Sequence, residues 1–541
     1  MLKMQGYPFW TSAVLLVFSL AFAQSDPIVQ TKYGAIAGIR KNNVNAFLGI
    51  PYAEPPIENL RWNNPVEKKS WTGQIYNATK LQPGCPQKGC KDMNPSFVCP
   101  NETSEDCLYL NIWTPLTANS TSSFPVMVYL HGGNFVHMSS SSLLFDGEYF
   151  AYIGQVILVT LDYRLGALGF LLTKDTPSQK GATGNYGILD QQLALKWVTE
   201  NIENFGGNPK QVTLFGQSAG AQSTVIHLTN QQSSMYFQQA IMESAPVSIP
   251  FKTRTEELFL GELLTLQLGC QPNDMICLRS KSADDVAEAQ RTIRNYPTSV
   301  KLLDFFEPLG PYVDGKVVPM QPLDALRQGY FQKKPYIIGT TTEETRIYIY
   351  EAWNHTISPN VYAEALLATF GRKNIIDILG MYPPNNPQDE REDLQIASTD
   401  FIFTCSSRNY TRLAMTKYGI NSWVYVFNHF FSFQGWERFT ECEEHVCHGS
   451  EIPYVFQSVR NMPNWTMTTD EYQLSNSIIT YFTNFAKTGD PSKGMPVSLV
   501  WPKYEMGNNW LNMKFQTPSN ELDSSFRDKF CTFWDRIGYN A

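Results

Sequence analysis

A serine stands between two glycines in Gly216-Gln217-Ser218-Ala219-Gly220, directly after the apolar run at residues 212–215 and ahead of a segment that can be helical. A strand that passes into a helix over so few residues turns too tightly for side chains at the flanking positions, which is where glycine is needed. The turn lifts the serine hydroxyl to the carboxyl end of the strand, and the N–H groups of the following helix aim at the same point. Such a unit needs a buried sheet around it. Strand-like runs at 126–130, 156–160, 240–242, 336–339 and 423–427 alternate with helix-like segments such as 189–198. This alternation predicts an α/β chain built on a large, mostly parallel sheet flanked by helices. A 43% hydrophobic and 13% aromatic content supplies the apolar surface to offset ordering of the backbone. Residues 253–296, rich in Leu and charge, read as helices capping the sheet. With no repeat and no linker-like tract, residues 24–541 are expected to form one elaborated domain.

The ends and the cysteines set the compartment. Lys3, an apolar run at residues 9–20 and Ala21-Phe22-Ala23 have the charge, core and small-residue cleavage site of a signal peptide over residues 1–23. The apolar run is shorter than the roughly 20 residues that span a bilayer, and no later segment reads as a span. Secretion, or delivery to the lumen of a secretory vesicle, is therefore expected. Ten cysteines, an even count, favour five disulfides over metal sites. Cys270 with Cys277, Cys90 with Cys99 and Cys442 with Cys447 are near enough to close short loops, whereas Cys85, Cys107, Cys405 and Cys531 need distant partners. Spacing alone fixes none of these pairings. A zinc cluster over Cys442 to His448 is set aside, because no second half-site accompanies it, and no metal is expected. Sequons at Asn77, Asn101, Asn119, Asn354, Asn409 and Asn464 are candidate glycosylation sites. A net charge of −8 without a basic run excludes nucleic acid as a partner.

A strand, a tight Gly-x-Ser-x-Gly turn and a helix together form the nucleophile elbow of the α/β-hydrolase fold. A serine hydroxyl is a weak nucleophile at neutral pH, so a histidine must take its proton and a carboxylate must hold that histidine in the right tautomer. Of the seven histidines, His131 reads as part of a glycine-rich loop and His227 as a packing residue. His137, His355 and His429 have no informative setting. His448 and His445 share a loop downstream of the run at 423–427, where this fold carries its base, and pattern alone does not separate them. Between nucleophile and base the acid should follow the run at 336–339, where Glu343 and Glu344 both qualify. The loop after residues 126–130, His131-Gly132-Gly133-Asn134-Phe135, is placed to supply N–H donors to a substrate oxyanion.

At residue level the chain resembles the type-B carboxylesterase and cholinesterase family. Phe205-Gly206-Gly207-Asn208-Pro209-Lys210-Gln211-Val212 continuing to Gly220 is similar to that family's active-site signature, and Glu105-Asp106-Cys107-Leu108-Tyr109-Leu110-Asn111-Ile112 to its second one. Phe47-Leu48-Gly49-Ile50-Pro51-Tyr52-Ala53 and Asn484-Phe485-Ala486-Lys487-Thr488-Gly489-Asp490-Pro491 extend the resemblance over nearly the whole chain. The resemblance implies Glu344 as acid, His448 as base and the N–H groups of Gly133, Asn134 and Ala219 as oxyanion donors. It also implies disulfides Cys85–Cys107, Cys270–Cys277 and Cys405–Cys531, which leaves Cys90–Cys99 and Cys442–Cys447.

The chain departs from the family pattern at four positions. Asn134 replaces a third oxyanion glycine, Gln217 replaces the usual Glu before the nucleophile, Thr345 replaces a glycine, and about Phe97 stands where cholinesterases have Trp. The implied activity is that of a secreted serine carboxylic-ester hydrolase working through an acyl-enzyme on a small-molecule ester, with no cofactor. Two alternatives are a cholinesterase-like interaction protein without catalysis, which the retained Ser218, Glu344 and His448 oppose, and a choline-ester hydrolase, which Gln217 and Phe97 oppose.

Overall fold

The computed structural model describes residues 26–174, 176, 183–293 and 309–539; the expected signal peptide at 1–23 lies outside them. Eleven strands form one sheet. From edge to edge they are Glu521–Asp523, Asn512–Phe515, Ser422–Phe427, Tyr336–Thr341, Gln239–Glu243, Gly207–Gln217, Phe124–Leu130, Ile157–Leu161, Tyr109–Pro115, Val44–Pro51 and Ile39–Arg40. The seven strands from Asn512–Phe515 to Ile157–Leu161 are parallel, and Gly207–Gln217 is the sixth of the eleven, at the centre of the sheet. Each strand read from the sequence is present, as is the helix expected at 189–198, which extends over Tyr186–Asn201.

Antiparallel strands continue the sheet at both ends. Val44–Pro51 and Tyr109–Pro115 were legible in the sequence only as family motifs, because strands covered on both faces lack an alternating pattern. A separate three-stranded sheet joins Ile28–Thr31, Gly34–Ala37 and Ile75–Asn77.

Alternate residues of the central strands enter two apolar cores, one on each face. Val126, Val128 and Leu130 share theirs with Ala219, Val225 and Leu228 of the helix Ala219–Thr229. Met127 and Tyr129 share the other with Ile478, Phe482 and Phe485 of Thr469–Thr488, a helix begun by a Thr468–Glu471 capping box. The stretch expected to cap the sheet is helical at Arg254–Gln267, Met275–Ser280 and Ala283–Ile293. These helices cover the sheet only indirectly: Leu260, Leu264 and Val286 pack on Ala167, Leu171 and Tyr186 in a third core.

The ten cysteines form Cys85–Cys107, Cys90–Cys99, Cys270–Cys277, Cys405–Cys531 and Cys442–Cys447. Among the described residues no helix is long and apolar enough to cross a membrane.

Candidate active site

Ser218 joins the strand Gly207–Gln217 to the helix Ala219–Thr229 with φ 57° and ψ −123°, a backbone conformation few residues adopt. Its N–H donates to the carbonyl of Glu243 at 2.9 Å, which fixes the turn to the neighbouring strand. The flanking glycines follow from a close approach. A Cβ on Gly220 would stand 1.9 Å from the carbonyl oxygen of Leu130, and one on Gly216 would stand 2.6 Å from it. The start of the helix is thus pressed against the end of Phe124–Leu130, the strand that feeds the loop carrying Gly133 and Asn134.

In that loop Gly133 and Asn134 both have positive φ, 94° and 53°. Asparagine tolerates this geometry better than most residues, so the departure from a third glycine is accommodated. The carbonyl of Gly133 accepts from the N–H groups of Val136 and His137, both at 2.9 Å. Among the described residues the N–H groups of Gly133, Asn134 and Ala219 meet no protein acceptor. Gly133, Asn134, Ser218 and His448 line one cavity of about 410 Å³.

His448 follows directly on Cys447, whose disulfide to Cys442 closes the preceding loop. Its Nδ1 lies 2.5 Å from Glu344 Oε2, and Glu344 Oε1 accepts from the N–H of Thr341 at 2.7 Å. Glu344 is fully buried. The neighbouring candidates form a second pair: His445 Nδ1 is 2.7 Å from Glu343 Oε1, while Glu343 Oε2 accepts from the N–H of Val446 at 2.8 Å. Glu343 and His445 are not part of the cavity lining. The rings of Tyr348 and Phe403 pack at 5.6 and 5.2 Å from the His448 ring. His448 Nε2 lies 3.2 Å from the amide nitrogen of Gln217. With Nδ1–H donated to Glu344, His448 Nε2 is left as an acceptor, taken by the Gln217 amide N–H, and this is the tautomer a general base requires.

The remaining histidines have structural partners. His131 stacks on Tyr163 and faces Asp162, and His429 meets Glu471. His227 is held between Ser233 and Gln191, and burial pushes it down to about 3, so it stays neutral. Cys442 and Cys447 are joined as a disulfide, and among the described residues no group of three or more His, Cys, Asp or Glu is arranged to hold a metal ion.

Glu243 and Glu451 form a feature that sequence reading missed. Both are fully buried; Glu451 Oε1 accepts from Ser244 at 3.4 Å, and neither oxygen of Glu243 has a protein partner. Burial, then the charge of Glu344, pushes Glu451 up to about 8, and burial with Glu451 beside it raises Glu243 well above the carboxylate range. At neutral pH this pair is protonated. Glu451 stands three residues after His448, in His448-Gly449-Ser450-Glu451, whereas nothing in Gln239–Glu243 marks Glu243 as its neighbour.

Five sequon asparagines, Asn77, Asn101, Asn119, Asn354 and Asn464, are exposed. Asn409 is half-buried, and its amide donates to Asp535 at 3.0 Å.

A mostly parallel sheet with a serine elbow at its centre and a His–Glu pair on the loops beyond it is the architecture of an α/β-hydrolase. Comparison with known proteins narrows this class. The carboxylesterase family model matches residues 25–534. The chain is 35% identical over 535 residues to the cAMP-regulated D2 protein of Dictyostelium discoideum, covering 97% of each chain. It is 35% identical over 512 residues to the crystal protein of the same organism, covering 94% of this chain and 90% of that one. Against the acetylcholinesterase of Bungarus fasciatus it is 32% identical over 568 residues, covering 98% of this chain and 90% of that one. The protein belongs to the carboxylesterase family.

Proposed function

We propose that the protein is a secreted serine carboxylic-ester hydrolase, with Ser218 as nucleophile, His448 as general base and acid, and Glu344 as the residue that orients His448. The observation carrying this reading is the 2.5 Å contact of His448 Nδ1 with a fully buried Glu344, at a base that shares one cavity with a serine held at φ 57° on its elbow. Ser218 Oγ attacks the ester carbonyl and passes its proton to His448 Nε2. The oxyanion is met by the N–H groups of Gly133, Asn134 and Ala219, each such donor being worth about 10²–10³ in rate. His448 returns the proton to the leaving alcohol, and water then releases the acid from the acyl-enzyme by the same steps in reverse. No cofactor enters this sequence. Similarity to an acetylcholinesterase supports ester chemistry. Five disulfides and the residue pattern at 1–23 support passage through the secretory pathway.

Purified secreted protein should hydrolyse p-nitrophenyl butyrate and start at Gln24 on N-terminal sequencing. Organophosphate should label Ser218, and Ser218→Ala should remove about 10⁶ of the turnover while leaving the melting temperature in place. A folded wild type that neither turns over the ester nor takes the label would leave the non-catalytic interaction protein as the surviving reading.

A further inference from the structure

The cavity at Ser218 continues past the base into an apolar arm. It begins at Tyr348, one of the two rings against His448. Beyond this ring it runs between the helices Arg346–Ala352, Pro359–Phe370 and Arg391–Thr399, which contribute Ile349, Ala365, Leu366 and Leu394. Ile402 joins this lining from a π-helical turn at Asp400–Thr404, so the same turn shapes the arm and sets Phe403 on the base. From Ile347 to Trp353, both in the lining, the chain advances about 9 Å at helical rise.

Among the described residues nothing along this arm offers a counter-charge. The carboxylate among its lining residues is Glu351, and that is paired to Arg438 at 3.3 Å through both guanidinium nitrogens. The hydroxyls of Ser398 and Thr369 turn back onto carbonyls of their own helices, Leu394 and Ala365, at 2.7 and 2.8 Å. The position before the nucleophile carries a neutral amide, Gln217. Among the described residues a quaternary ammonium group would find no unpaired carboxylate here, and a charged carboxylate no free cation, whereas an extended hydrocarbon would be buried against side chains of its own kind.

We infer that the substrate is a neutral ester bearing a linear aliphatic chain of eight carbons or more, with that chain seated in the arm between these three helices. The inference rests on the esterase reading of Ser218 but can be tested apart from it. In a p-nitrophenyl acyl series and an alkyl acetate series, kcat/KM should rise at least tenfold between the four-carbon and eight-carbon members of one series, each buried methylene contributing about threefold to fourfold. Thr369→Trp, which narrows the arm, should lower the ratio of long-chain to short-chain kcat/KM by tenfold or more. Binding is read separately with methyl parinarate, a fluorescent linear ester, on Ser218→Ala, which does not depend on turnover. It should bind and be displaced by dodecyl acetate but not by butyrylcholine. Methyl parinarate binding together with an inert wild type would uphold the arm and remove the esterase reading. Turnover of the butyrate with no gain in either series and no methyl parinarate binding would overturn the arm and keep the esterase. Tenfold preference for a choline ester over its neutral isostere would overturn it as well.

Discussion

Replacing Glu451 by glutamine tests the buried carboxyl pair behind the base. In the fold the Glu451 carboxyl is pushed from its ordinary value of 4.5 up to about 8, burial being the larger cause and the Glu344 charge the next. Between these two values the folded protein holds a proton that the unfolded chain has released. Stability therefore falls as pH climbs through the interval and is flat below it and above it. At about 1.4 kcal/mol for each pH unit, the loss approaches about 5 kcal/mol. With an unfolding entropy of about 2.1 cal/mol/K per residue over about 500 residues, this corresponds to roughly 4–5 °C in melting temperature. Glu451→Gln keeps an oxygen for the Ser244 hydroxyl and has nothing to ionise. By scanning calorimetry at one scan rate, wild type and variant should melt together at pH 5, and the variant should melt roughly 4 °C higher at pH 8.5. A gap in melting temperature that is the same at both pH values would refute the protonated pair.

Three other outcomes follow from the site. Glu344→Gln should lower kcat by about 10⁴, the cost of losing the imidazole's orientation and tautomer, whereas Glu343→Gln, which touches His445 instead, should cost less than about tenfold; initial rates on p-nitrophenyl butyrate compare them. Gln217→Glu sets a carboxylate near His448 Nε2, so the acidic limb of the pH–rate profile should move to higher pH by about one unit. Glycopeptide mass spectrometry should find glycan at the five exposed sequons and an unmodified Asn409, whose amide is held by Asp535 in the half-buried start of its helix.

The elbow was legible because its physics is local: an apolar strand, two glycines that cannot carry a Cβ, and a helix within reach of one another in sequence. The base was not. His445 and His448 share one loop, and Glu343 and Glu344 are adjacent, so either matching of acid to base fits the spacing. What separates them is a bridge between Glu343 and Cys447, which sets the frame in which Glu343 meets His445 and Glu344 meets His448. The family resemblance supplied that frame where pattern had none. The strand Asn512–Phe515 escaped notice because four residues, one of them Lys514, give too short a run to read. The arm could not be read either, since its lining comes from several elements whose meeting is a product of the fold.

Gln217 and Glu243 are partners in the pairing of adjacent strands, and the N–H of Ser218 reaches the Glu243 carbonyl, so the two side chains leave neighbouring strand ends. One lines the cavity 3.2 Å from His448 Nε2; the other is buried with Glu451, within electrostatic reach of Tyr129 and Tyr425. A carboxylate at position 217 would face the nitrogen that, in the proposed mechanism, takes and then returns the Ser218 proton. It would hold the imidazolium and retard that return, while drawing cations into the cavity. At position 243 the acid is shut away from the cavity and, kept neutral by burial, exerts no such field. His448 is therefore charged on one flank only, by Glu344 at Nδ1, where the charge orients the ring. The neutral amide on the other flank also leaves the described lining of the cavity without a counter-ion, so the proposed base and the inferred preference for an uncharged, apolar ester would both follow from the same placement of acid and amide.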